Sequence, residues 1–161
     1  MNDTWESDIA GLLAELADVQ SALLGVLGEK RQVLATGQHE SLAALAGREQ
    51  ELADRLQACH DRRQQLLARA EAEGVPADSI RSLGDRLPAE CRGRIQTGIR
   101  EAADRSRLLQ HQSLTNWVLV QRTLLHLSQL IEIIATGGQP KPTYGKGSDR
   151  QGSGTLVDRA A

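Results

Sequence analysis

From Trp5 to Ile134 the chain returns an apolar residue every three or four positions, and that spacing confines it to long amphipathic helices. The first run is Trp5, Ile9, Leu12, Leu16, Val19, Leu23 and Val26. Its steps alternate between four and three, a seven-residue repeat that draws one apolar seam along a helix. Lys30 interrupts the seam, Val33 and Leu34 resume it, and Gly37 offers a C-terminal stop, which predicts a helix over about residues 4–35. At its start, Asp3 and Glu6 have the spacing of a capping box. A second run, Leu42, Leu45, Glu49, Leu52, Leu56, Cys59, Arg63, Leu66 and Ala70, predicts a helix over about 40–73 that Gly74-Val75-Pro76 ends. The connection between the two is short, so they are antiparallel neighbours. Glu49 and Arg63 are polar positions within the second seam. Such a pair makes a poor two-stranded rod and needs a third helix.

Asp78 or Ser79 can cap a brief helical turn at about 78–85, and Pro88 sets the start of a last helix by fixing its first φ. That helix, predicted over about 89–136, reads Ile95, Ile99, Ala102, Ser106, Leu109, Ser113, Trp117, Val120, Leu124, Leu127, Ile131 and Ile134. The fold class is therefore all-α, with long antiparallel helices in a three-helix bundle or coiled coil. Residues 1–137 form the helical body. The last stretch, 138–161, holds five Gly and two Pro among scattered Ser, Gln and charge, and is expected to be a flexible tail that buries too little to order itself.

Composition agrees with helices and narrows the function. Aromatic residues make up 2% of the chain and Phe is absent, so no sheet can be built around large rings. Leu, Ala, Glu, Gln and Arg, all strong helix formers, dominate. A net charge of −2 provides no basic face for nucleic acid. The start, Met1-Asn2-Asp3-Thr4-Trp5-Glu6, is acidic where a signal peptide would be basic. No uninterrupted apolar run approaches the roughly 18 residues that span a bilayer, so no membrane span is expected. Cys59 and Cys91 lie far apart and outside any paired motif, as free thiols of a cytoplasmic protein do.

One segment holds more apolar surface than a single seam needs. Between Trp117 and Ile134, eleven of eighteen residues are apolar, where a core-facing helix needs about three in seven. Trp117, Val120, Leu124, Leu127, Ile131 and Ile134 continue the seam, while Leu119, Leu130 and Ile133 form an adjoining stripe. Either the two earlier helices flank the segment and bury both stripes, or the excess receives an amphipathic helix from another protein. Self-association would use the same residues.

Reaction chemistry is hard to find. His39, His60, His111 and His126 are scattered, and the adjacent Cys59 and His60 point about 100° apart on a helix, so no metal site or cofactor is expected. Gly145-Lys146-Gly147-Ser148 lacks the upstream Gly and preceding strand of a phosphate loop. Glu49 with Glu51, and Glu71 with Glu73, sit two apart and face different ways. His111 is the one candidate for a histidine phosphotransfer domain, but His111-Gln112-Ser113-Leu114-Thr115 lacks the Lys-Gly of such sites. A binding protein fits better than an enzyme.

Three short stretches carry a family resemblance: Glu29-Lys30-Arg31 on the first helix, Asn116-Trp117 leading into Val118-Leu119 on the last, and Thr143-Tyr144-Gly145-Lys146-Gly147 in the tail. In that order, over essentially the whole chain, they resemble the FlgN-type flagellar export chaperones. The resemblance implies cytoplasmic binding of hook-associated proteins, which join hook to filament, and their delivery to a flagellar type III export-gate protein. It also implies that Tyr144, with Gly145, docks at that gate, and that the client-binding part is the apolar segment Trp117–Ile134. The alternative reading is a structural coiled-coil protein that forms a homodimer through its last helix.

Overall fold

Two glycines stop the first two long helices, each by adopting the left-handed conformation that only glycine enters freely. Gly37 and Gly74 both have φ of +73°. Around Gly74 the Val75 amide donates to the Ala70 carbonyl at 2.8 Å and the Gly74 amide to Glu71 at 3.0 Å, the paired bonds of a Schellman cap. Gln38 closes on Val33 in the same way at 3.2 Å.

The computed structural model describes residues 2–75 and 77–136. Four α-helices are present among them: α1 (Asn2–Thr36), α2 (Leu42–Ala72), α3 (Ile80–Gly84) and α4 (Ala89–Thr136), with a 3₁₀ turn at His39–Ser41. No strand occurs among the described residues, so the chain is all-α. Of the two capping candidates before α3, Ser79 is the one used: its hydroxyl accepts from the Ser82 amide and the Ser82 hydroxyl from the Ser79 amide. The capping box read at Asp3 is not where α1 begins, since the helix already starts at Asn2. Glu6 instead accepts from the Cys91 thiol and the Arg94 guanidinium, tying α1 to α4.

The chain divides into two compact units, residues 1–124 and 125–161. In the first, α1 is the hub. Its seam is buried nearly throughout at Trp5, Ile9, Leu12, Val19, Leu23 and Val26. Against it α2 buries Leu45, Cys59, Leu66 and Ala70, while Ile80, Leu83 and Leu87 close one end. The cross-helix bonds give the directions. Trp5 Nε1 donates to Glu73 at 3.1 Å, Arg69 to Asp8 at 2.7 Å and Lys30 to Glu49 at 2.6 Å, so α2 runs antiparallel to α1. Arg94 meets Glu6, Arg105 meets Gln20 at 3.1 Å and Asn116 meets Leu27 at 2.8 Å, so α4 runs parallel to α1. Every one of these ties has α1 as a partner.

The second unit, as far as it is described, is the end of α4 from Leu125.

Candidate functional site

The seam of α4 starts like a core helix and then leaves the core. Ile95 and Ala102 are buried and Ile99 partly so. Beyond Ala102 the helix is held by polar side chains. Gln20, 1% exposed, donates to the Ala102 carbonyl at 3.0 Å and the Ser106 hydroxyl at 2.9 Å, and accepts from Arg105. Asn116, 4% exposed, donates to the Leu27 carbonyl. Leu108, Leu114, Trp117, Val118 and Leu124 are all exposed in this first unit, while Leu119 and Val120 are half-buried. In the second unit Leu125, Leu127, Leu130, Ile131 and Ile133 are exposed, and Ile134 reaches 80%.

Of the nine residues assigned to partner binding, Trp117, Leu124, Leu127, Leu130, Ile131, Ile133 and Ile134 therefore lie open, and only Leu119 and Val120 are partly covered. The sequence left open whether both stripes are hidden inside the body. In the structure Trp117 and Leu124 are exposed within the first unit, and Leu127, Leu130, Ile131, Ile133 and Ile134 within the second. Leu108 and Leu114 join the exposed set without having been singled out. Two serines, Ser106 and Ser113, lie in the seam beside them, and Ser106 meets the Gln20 amide. Tyr144 and Gly145 lie outside the described residues.

The exposed part of this face is mainly apolar. Among the described residues no cluster of three His, Cys, Asp or Glu could hold a metal ion. His111 is exposed, and its backbone carbonyl accepts from the Thr115 hydroxyl. Each Leu or Ile that a partner fully covers contributes about 1.5–3 kcal/mol. A few of them offset the loss of free rotation and translation on association.

A bilayer is the other apolar medium. By length and mean hydropathy, α1 and α4 are both long and apolar enough to cross a membrane. Isolated polar residues keep each uninterrupted apolar run short without lowering the average much. In α1 the apolar residues form the core of the first unit. The apolar window of α4 is unburied. Yet that end carries Arg122 and Glu132, and a charge such as Arg122 at a bilayer centre costs about 2.5–3.5 kcal/mol.

No curated protein and no solved structure matches the chain. A family model, described as FlgN protein, matches residues 1–151. With nearly the whole sequence matched, the chain belongs to the FlgN family.

Proposed function

We propose that this chain is a cytoplasmic flagellar type III export chaperone that holds the helical terminus of hook-associated proteins and delivers them to the export gate. The observation that carries the reading is the exposure of Ile131 and Ile134, at 66% and 80%, on a helix of a FlgN family member. A client terminus with its own heptad face would aggregate or assemble early if left bare. Covering it with Leu124, Leu127, Ile131 and Ile134, or with Leu130 and Ile133 beside them, removes both apolar faces from water together. Trp117, Leu119 and Val120 extend the same reading towards the first unit. Tyr144 and Gly145 supply a second, weaker attachment at the gate, raising the local concentration of the complex there.

Co-purification of the full chain with hook-associated proteins tests the proposal. Ile131→Asp and Ile134→Asp alter exposed positions, so native circular dichroism with loss of the complex is the expected result. An undiminished complex in both variants would refute this surface. Tyr144→Ala should leave the complex intact and lower secretion of the client. The same exposure favours one other reading, a homodimer through α4, which light scattering detects as a dimer that Ile131→Asp dissolves and no client displaces.

A further inference from the structure

The first unit holds an apolar pocket of about 290 Å³ to which all four helices contribute. Leu12 and Leu16 of α1, Cys59 of α2, Ile80 of α3 and Ile99 of α4 are among its walls, and each belongs to the main core or packs against it. Protein interiors are close-packed and hold few spaces larger than a water molecule, so an opening of this size into a core is an exception. The polar side chains of the lining, His60 and Arg63, stand three positions apart on α2 and so on one face. Both are exposed, which puts them at the mouth, while the other walls are buried or half-buried. His60 shares a hydrogen bond with Gln64 at 2.9 Å. Arg63 has no ion-pair partner among the described residues, and no Asp or Glu among them lines the pocket.

We propose that this pocket binds a free medium-chain carboxylate, with its alkyl tail between the four helices and its head beside Arg63. Volume, lining and charge each select that occupant. A cavity of about 150 Å³ takes a benzene ring, so about twice that space takes a chain of roughly eight to ten carbons. The inner walls are leucine, isoleucine and alanine side chains with Cys59, and no Phe, Tyr or Trp among them favours a flat ring by stacking. An alkyl tail leaves water there without giving up a hydrogen bond. Arg63 is a permanent positive charge at the mouth with no acid of its own, complementary to an anionic head that stays in contact with water. None of the lining residues is among those assigned to the client, so the site stands whether or not the chaperone reading does.

Isothermal titration calorimetry of the full chain with linear carboxylates, each below its micelle concentration, tests the site. Affinity should rise about four-fold per added methylene from hexanoate to octanoate, and should level off by dodecanoate, whose tail exceeds the pocket. Octanoate should bind about five-fold tighter than octylamine. Arg63→Glu, an exposed change, should reverse that preference. Leu56→Trp, which fills the pocket from α2, should abolish both complexes. Should that variant lose its native circular dichroism, Cys59 gives a second readout: in Cys91→Ser, octanoate should slow the labelling of Cys59 by N-ethylmaleimide. Leu125→Asp, on the exposed end of α4, should change none of this. The proposal is overturned if octanoate does not bind, if affinity climbs evenly through dodecanoate, or if Arg63→Glu leaves the preference as it was. It is equally overturned if Cys59 labels at the same rate with octanoate present. Loss of octanoate binding in Leu125→Asp would also overturn it, by giving the tail to the α4 face instead.

Discussion

Lys30 Nζ lies 2.6 Å from Glu49 Oε2, so the residue that breaks the apolar seam of α1 is bonded to the one that breaks the seam of α2. Both side chains are partly covered, at 26% and 32% exposure. Removing one partner strands the other's charge beside apolar walls, whereas removing both replaces two breaks with a continuous seam. Glu49→Leu or Lys30→Met alone should each lower stability by about 1 kcal/mol. The double variant should recover to the parent value or pass it, and urea denaturation of the four proteins measures the coupling. Simple additivity would mean that the pair contributes nothing as a pair.

Two glycine positions should respond in opposite directions to alanine. A Cβ on Gly84 would stand 2.9 Å from Ile95 Cγ2, and Ile95 is 1% exposed with little room to move. Gly84→Ala should therefore destabilise by about 1–3 kcal/mol through overpacking. A Cβ on Gly47, inside α2, meets nothing within 4 Å. There alanine restricts the unfolded chain without a clash, and stability should rise by about 0.5–1 kcal/mol. Thermal unfolding of the two single variants shows whether the signs differ.

The buried amides of α1 and α4 differ in how well they are satisfied. Gln20 uses both ends: its nitrogen donates to Ala102 and Ser106, and its oxygen accepts from Arg105. Asn116 donates to Leu27, but its buried Oδ1 has no partner among the described residues. Gln20→Leu strands the Arg105 Nε bond and should cost about 1–3 kcal/mol. Asn116→Leu loses one hydrogen bond yet also removes an orphaned acceptor, so the net change should stay within about 1 kcal/mol. Equal losses on chemical denaturation would show that the Oδ1 atom finds a partner in solution.

How legible all this was depends on whether a residue repeats or acts alone. Trp5, Ile9, Leu12, Val19, Leu23 and Val26 announce α1 because burial on one face of a helix forces a period, and each of them is buried. Gly37 and Gly74 announce the stops because φ of +73° excludes most other residues. Lys30 and Glu49 could be seen as breaks but not as partners, since facing residues on two helices have no sequence spacing in common. Gln20 and Asn116 left no periodic trace at all. A polar side chain held inside by specific bonds looks in sequence like any surface residue. Glu6 was misread for a related reason: a local capping pattern and a distant pairing with Arg94 use the same carboxylate, and the distant one prevailed. The surplus of apolar residues on α4 was plain in the sequence, but the exposure of each of them was read only from coordinates.

Stability should fall with rising pH in the alkaline range because of the two thiols. Burial, aided by Glu15, pushes the Cys59 thiol above its ordinary pKa. For Cys91 the main cause is its hydrogen bond to Glu6, with burial and the Glu6 charge adding to it. A raised thiol pKa means that the folded chain keeps protons the unfolded chain releases. The stabilisation is thus complete below the ordinary thiol pKa of 9.0 and is lost as pH climbs through the raised values. Urea midpoints near neutral pH and about one unit above 9.0 should show the decline. In Cys91→Ser the hydroxyl can still donate to Glu6 but does not titrate in this range, so the alkaline decline should be smaller than in the parent. An identical decline in both proteins would place its origin outside the Cys91–Glu6 contact.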